Sequence, residues 1–270
     1  MGQVIVQVDA FTSEPFAGNP AAVCILPRER DEGWMQRVAR EMNLAETAFL
    51  VPRSDEDGLS YGLRWFTPTV EVALCGHATL ASAHAIFESG KAPAGSPLRF
   101  HTKSGVLTAL RDGDWIELDF PAEMGEEVEA PAMLMEALDV DAMAVFRNRF
   151  DYLVEAPDAD AVRSLQPDLM LIKQLGGRGV IVTARSDDGT HDFVSRFFAP
   201  AAGVDEDPVT GSAHCFLAPY WAARLGRTRM AGYQASARGG TVYVSLEPPR
   251  VKLRGQAVTV LRGELADAAS

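Results

Sequence analysis

Arg64-Trp65-Phe66-Thr67-Pro68, leading into Cys75-Gly76-His77-Ala78-Thr79 and the apolar run Leu80 to Glu88 closed by Gly90, is a passage the chain writes twice. Downstream, Arg196-Phe197-Phe198-Ala199-Pro200 leads into Thr210-Gly211-Ser212-Ala213-His214, then Cys215 to Leu225, closed by Gly226. The two arginines stand 132 positions apart in a chain of 270 residues, so the period is about half the protein. Each copy reads as a strand, a proline-marked exit loop, a glycine, and a helix with a second glycine just past its end. Glycine to glycine, the helix interval is 14 residues in the first copy and 15 in the second. The match predicts two related domains, each presenting a helix start to a shared cleft.

Both helices are apolar on nearly every side. Ala78, Leu80, Ala81, Ala83, Ala85, Ile86 and Phe87 leave almost no polar face in the first, and Cys215 to Ala223 do likewise in the second. A helix that is hydrophobic all round is buried. Its first-turn N–H groups still need partners, so those starts are expected to meet a ligand or a functional loop.

Around the helices, strands are short and frequent. Val4 to Ala10 and Ala21 to Leu26 read as strands, joined by the turn-rich Glu14 to Pro20, where Gly18 and Asn19 can take left-handed angles. Asp31 can cap a helix from Glu32 to about Glu41, and Thr47 to Val51 is a strand. Strands follow over Leu59 to Phe66 and Leu98 to Phe120, then Ala144 to Ala156, Val180 to Ala184 and Asp192 to Phe198. A doubly wound sheet would alternate strand and helix more regularly. The pattern predicts an α+β chain of two similar domains, each with a central apolar helix wrapped by curved sheet. The acidic, proline-flanked Pro121 to Pro131 is the linker candidate, giving domains over 1–125 and 126–270. The final strands, Gln256 to Leu261, are candidates to pack back on the first domain.

Bulk properties narrow the function. A hydrophobic share of 47% is enough for two cores, and the net charge of −12 comes with no Lys- or Arg-rich run. Nucleic-acid binding needs a basic stripe, so it is not expected. Cys24, Cys75 and Cys215 are too few and scattered for a disulfide framework. The opening Met1 to Asp9 lacks the features of a secretory signal, and no apolar run approaches bilayer length. A cytoplasmic protein without a membrane partner is expected.

Four features bear on chemistry. Gly76 to Thr79 and Thr210 to Ala213 offer backbone N–H groups at a positive helix end, which suits a carboxylate; plain N-capping by Thr210 and Ser212 is the ordinary alternative. Glu46 lies in the apolar setting Asn43-Leu44-Ala45-Glu46-Thr47-Ala48-Phe49-Leu50, where partial burial would make it a usable base near neutrality. His77, one residue past the first glycine, and Asp207, at the matching place before Pro208, could hydrogen-bond a substrate or shuttle a proton. Cys75-Gly76-His77 has no second pair at zinc spacing, so no metal is expected. Aligning Gly76 with Gly211 sets Thr210 opposite Cys75, so a two-thiol racemase lacks its second thiol. No glycine-rich phosphate loop points to a nucleotide cofactor.

Together these motifs resemble the PhzF-like phenazine-biosynthesis proteins, relatives of diaminopimelate epimerase and proline racemase. The resemblance runs nearly end to end, through Val8-Asp9-Ala10-Phe11, Gly18-Asn19-Pro20-Ala21-Ala22-Val23, Met42 to Phe49, Arg64-Trp65-Phe66-Thr67-Pro68, Cys75-Gly76-His77-Ala78-Thr79, and Asp205-Glu206-Asp207-Pro208-Val209-Thr210-Gly211-Ser212-Ala213. It implies a diaminopimelate epimerase-like fold, each domain a curled, barrel-like sheet around its central helix, and a cofactor-free, homodimeric isomerase that moves protons on a small carboxylate substrate. It implies Glu46 as general acid/base, with His77 and Asp207 as catalytic partners. Asn19, Gly76, Thr210, Gly211 and Ser212 are expected to bind substrate. Cys75 departs from the phenazine enzyme, which has a small non-thiol residue before its Gly-His pair. A binding or scaffold protein on the same fold, and a one-thiol racemase or epimerase using Cys75, are the competing expectations.

Overall fold

The computed structural model describes residues 2–53, 59–93 and 95–266. Its contacts divide the chain into two units, Met1–Asp119 with Arg254–Ser270, and Phe120–Leu253. The first holds β1 (Gln3–Ala10), β2 (Asn19–Ile25), α1 (Glu32–Met42), β3 (Glu46–Pro52), β4 (Ser60–Phe66), β5 (Glu71–Val72), α2 (Gly76–Glu88), β6 (Leu98–Thr102), β7 (Gly105–Asp112) and β8 (Trp115–Pro121). The second holds β9 (Glu126–Glu127), α3 (Ala132–Leu138), β10 (Ala144–Arg147), β11 (Asp151–Glu155), α4 (Ala159–Ser164), α5 (Leu169–Gln174), β12 (Gly179–Arg185), β13 (Phe193–Phe198), α6 (Gly211–Leu225), β14 (Arg229–Gln234), β15 (Gly240–Glu247) and β16 (Arg250–Gly255). Last comes β17 (Ala257–Leu265), which pairs antiparallel with β1 in the first unit. The 125/126 boundary expected from sequence therefore falls just inside the second unit.

The duplication extends to strand pairing. From β1 through β2, β3, β4, β6 and β7, successive pairs run antiparallel, parallel, antiparallel, parallel, antiparallel. From β10 through β15 the same five senses recur in the same order. In each unit the second parallel step is bridged by the apolar helix, α2 or α6, because parallel neighbours need a crossover. The repeated arginines have matching surroundings too. Arg64 lies over Phe66 at 5.1 Å and donates twice to Glu71, at 2.8 and 2.7 Å. Arg196 lies over Phe198 at 4.9 Å and donates twice to Glu206, at 2.7 and 3.0 Å.

Each sheet curls because it must cover a helix with no polar side. In α2 every residue but His84 and Glu88 is buried, and the helix packs against β1, β2, β3, β7 and β17. Only a curved sheet can bring strands so far apart in its order onto one helix. In the second unit Phe146 of β10, Glu155 of β11, Thr183 of β12 and Phe193 of β13 all meet Tyr220 or Trp221 of α6. The outer faces carry the short helices. Met35, Val38 and Ala39 of α1 pack on Ile5, Ala22, Cys24, Phe49 and Phe66, while α3, α4 and α5 cover Val145, Val154, Val180, Val182 and Val194.

Local chemistry follows the sequence closely in most places. Asp31 caps α1 by accepting from the N–H groups of Gly33 and Trp34, at 2.8 and 3.1 Å. Between β1 and β2, Gly18 takes a left-handed φ of 63°, whereas Asn19 is extended as the first residue of β2. Two other residues there are left-handed, Phe11 at φ 63° and Phe16 at φ 71°, and the Phe16 N–H donates to Asp9 Oδ2 at 2.7 Å. That bond to a buried carboxylate offsets the strain of a bulky residue at positive φ. Pro219 sits inside α6 and has no N–H for the carbonyl of Cys215; Glu123 N–H, from the segment expected as a linker, fills it at 3.0 Å. Gly232 lies where a Cβ would stand 2.3 Å from the Phe193 ring. Gly232→Ala is therefore expected to cost roughly 1–3 kcal/mol of unfolding free energy, measured by urea denaturation.

Candidate active site

In the first unit three chain segments converge on one imidazole. Asn19 opens β2, Glu46 opens β3, and Cys75 is the residue before α2, with Gly76 and His77 its first two positions. Parallel pairing of β2 with β3 sets Ala21 opposite Glu46, which brings the two strand starts side by side. His77 is buried, at 4% exposure, while the Glu46 side chain keeps 15%. Asn19 Nδ2 lies 3.1 Å from His77 Nδ1, and Cys75 Sγ lies 3.5 Å from the same nitrogen. With the Asn19 amide donating, Nδ1 is the acceptor and the proton of neutral imidazole resides on Nε2. Nε2 is 3.2 Å from Glu46 Oε2, with the oxygen off the N–H axis, so no fully formed hydrogen bond ties up the pair.

Burial pushes the His77 pKa down to about 3, so the ring is neutral throughout the physiological range. It is a fixed hydrogen-bond donor rather than a cation. His214 in α6 is likewise held neutral, its pKa pushed down to about 4 by burial. Unfolded histidine titrates near pH 6.5, so below that the unfolded chain binds protons that both folded imidazoles refuse. Stability is thus expected to fall as pH drops from about 6.5 towards 4. His214→Gln should make the fall shallower, which denaturation curves at pH 7 and pH 5 would register.

Glu46, Cys75 and His77 each offer a metal-ligand atom, all within 4.8 Å of one another. The carboxylate lies 3.2 Å from Nε2 and the thiol 3.5 Å from Nδ1, so each ring nitrogen faces one of the two.

In the second unit Asp207, Thr210, Gly211 and Ser212 form the approach to α6. Neither Thr210 nor Cys75 caps its helix through a side chain. Thr210 Oγ1 instead donates to Asp207 Oδ2 at 2.5 Å, and Thr210 N–H donates to Gln234 Oε1 at 2.8 Å. Gln234, wholly buried at the end of β14, completes the triangle by donating to Asp207 O at 2.7 Å. The capping expectation for Thr210 is thereby replaced: its hydroxyl holds the aspartate. The repeat shows again one turn in. Thr79 Oγ1 donates back to Cys75 O at 2.5 Å, and at the matching position His214 Nδ1 donates back to Thr210 O at 2.8 Å. Gln234 and His214 escaped sequence reading; a lone Gln closing an apolar strand and a His within an apolar helix were the available signals.

The Phenazine biosynthesis-like protein family model matches residues 8–263. The chain belongs to that family. An uncharacterized isomerase of Halalkalibacterium halodurans is 54% identical over 97% of each chain. A solved PhzF family protein of Enterococcus faecalis superposes with a TM-score of 0.92 at 41% identity, over 98% of this chain and 99% of that one. A probable proline racemase from Agrobacterium radiobacter shares the fold, with a TM-score of 0.67 at 13% identity, over 98% of this chain and 93% of that one. The fold class and family resemblance drawn from the repeated motifs agree with these likenesses. Among the described residues no helix is long and apolar enough to cross a membrane.

Proposed function

We propose that this member of the family is a cofactor-independent isomerase acting on a small carboxylate-bearing substrate. Glu46 takes a proton from a carbon activated by a neighbouring carbonyl or conjugated acid, and the electron pair moves into that conjugated system. Glu46 or a partner then returns a proton to a different carbon, so nothing is lost overall. The observation that carries the reading is Glu46 Oε2 lying 3.2 Å from Nε2 of a buried, neutral His77 whose tautomer Asn19 sets. A neutral N–H donor beside a carboxylate can polarise a substrate oxygen without quenching the base. Asp207, oriented by Thr210, is the second acid/base group in this reading, and Ser212 is its carboxylate-binding residue. A cytoplasmic homodimer is part of the same proposal.

The test is deuterium incorporation in D₂O with dihydro-hydroxyanthranilate, proline and diaminopimelate, followed by mass and NMR. Exchange that depends on Glu46 supports the isomerase; binding without exchange in any acid favours a binding protein. A second reading rests on Cys75 Sγ, 3.5 Å from His77 Nδ1, as the base of a one-thiol epimerase. Cys75→Ala is expected to retain at least a tenth of wild-type exchange; loss comparable to that of Glu46→Gln would move the chemistry to the thiol.

A further inference from the structure

Arg178 takes no part in the proton transfer proposed above, yet each nitrogen of its guanidinium has a partner. Its Nε donates to Asp151 Oδ1 at 2.9 Å, its Nη2 to Asp151 Oδ2, and its Nη1 to Ser212 Oγ at 2.8 Å. Asp151 is 1% exposed, and the guanidinium lies over the rings of Phe150 and Phe197 at 5.5 and 5.3 Å. A bidentate grip on a buried carboxylate fixes the plane of the arginine, since letting go would strand a buried charge. The Ser212 oxygen accepts from Nη1, so its own proton points elsewhere and can be donated to a further group. Ser212 itself is half-buried, and Arg178 keeps 32% of its side chain exposed.

We propose that Arg178 is a positioning residue for carboxylate recognition: anchored by Asp151, it holds the Ser212 hydroxyl as a donor toward a substrate carboxylate oxygen. This rests on the reading of Ser212 as a substrate-binding residue, and it extends the recognition machinery to the Asp151–Arg178–Ser212 chain. Lysine could keep the charge but could not span the carboxylate and the serine in one plane.

The experiment measures binding, so that it stands apart from turnover. Anthranilate and proline are titrated into the protein by ligand-detected NMR, with anthranilamide as the control lacking a carboxylate. Removing Arg178 alone could unfold the unit by stranding Asp151, so Asp151→Asn with Arg178→Met is the main variant and Arg178→Lys the second. Carboxylate affinity is expected to fall at least tenfold in the first and to be only partly restored in the second, with anthranilamide affected equally little in both. Ser212→Ala should fall similarly, and adding it to the double variant should cost less than twofold more, as expected of groups acting in one chain. Unchanged carboxylate affinity in a folded double variant would overturn the proposal, as would a wild-type protein that binds neither acid. If wild type binds but exchanges no deuterium, the isomerase reading fails while this one is still decided by the affinities.

Discussion

Glu46→Gln is expected to lower the rate of substrate C–H exchange by about 10²–10⁴, the range typical of losing a positioned general base. Glutamine keeps the size and one hydrogen-bond acceptor of glutamate, so Asn19, Cys75 and His77 have no reason to move. What disappears is the lone pair that accepts the proton. His77 cannot substitute, because burial has pushed its pKa down to about 3 and its Nδ1 is already engaged by Asn19. Ligand affinity should therefore change by no more than a few-fold while exchange collapses, which NMR in D₂O resolves in one sample. Glu46→Asp sharpens the test: a carboxylate drawn back by one methylene keeps its basicity, and misplacement of about 1 Å can still cost 10²-fold. A Gln variant that exchanges at the wild-type rate would remove Glu46 from the mechanism.

Arg196→Met is expected to destabilise the second unit by about 3–5 kcal/mol, the usual cost of removing one partner of a buried ion pair. The arginine side chain is 10% exposed and its pair with Glu206 is bidentate. It also donates to the carbonyls of Leu165 and Val162, at 2.6 and 3.4 Å, closing the end of α4. Methionine fills the volume but satisfies none of these acceptors. The equivalent Arg64→Met should cost less. Arg64 is 34% exposed, and Glu71 would retain Lys103 as a partner. Arg64 also holds the Glu71 carboxyl below the usual carboxylate range, so that part of the stability is present above the unfolded pKa and is lost on acidification. Denaturation of both variants at neutral pH ranks them; equal losses would show that the two copies of the motif bear equal strain despite their different exposure.

The repeat was legible because its signal is local. Glycine before and after an apolar run, and an arginine two residues before a phenylalanine, carry their own spacing, and the structure uses both. Glu46 stood out for the same reason, as an acid amid apolar neighbours just before a strand, and its side chain lies part-buried beside His77. What escaped reading depends on register. Gln234 reaches Thr210 across 24 residues, and Arg178 reaches Ser212 across 34, through strand pairing that no local pattern encodes. Asn19 was placed in the site by resemblance, but its task of setting the His77 tautomer needed the distance to a ring nitrogen 58 residues away. Phe16 went unseen as a left-handed residue because its compensation is the carboxylate of Asp9, in the preceding strand.

Pro219 turns an apparent defect in α6 into an address label. A helix without it would keep the Cys215 carbonyl for itself, and the chain at Glu123 would lose that acceptor, keeping the bond of Ala122 N–H to Pro249 O and the pairing of Glu123 with Arg149. The missing donor makes that carbonyl a backbone acceptor, midway along an apolar rod, that takes its partner from outside the helix. A non-directional surface can hold an incoming strand at many offsets, whereas a single vacant acceptor admits one. The position at which that segment meets the second unit is thus inscribed in the centre of its own core.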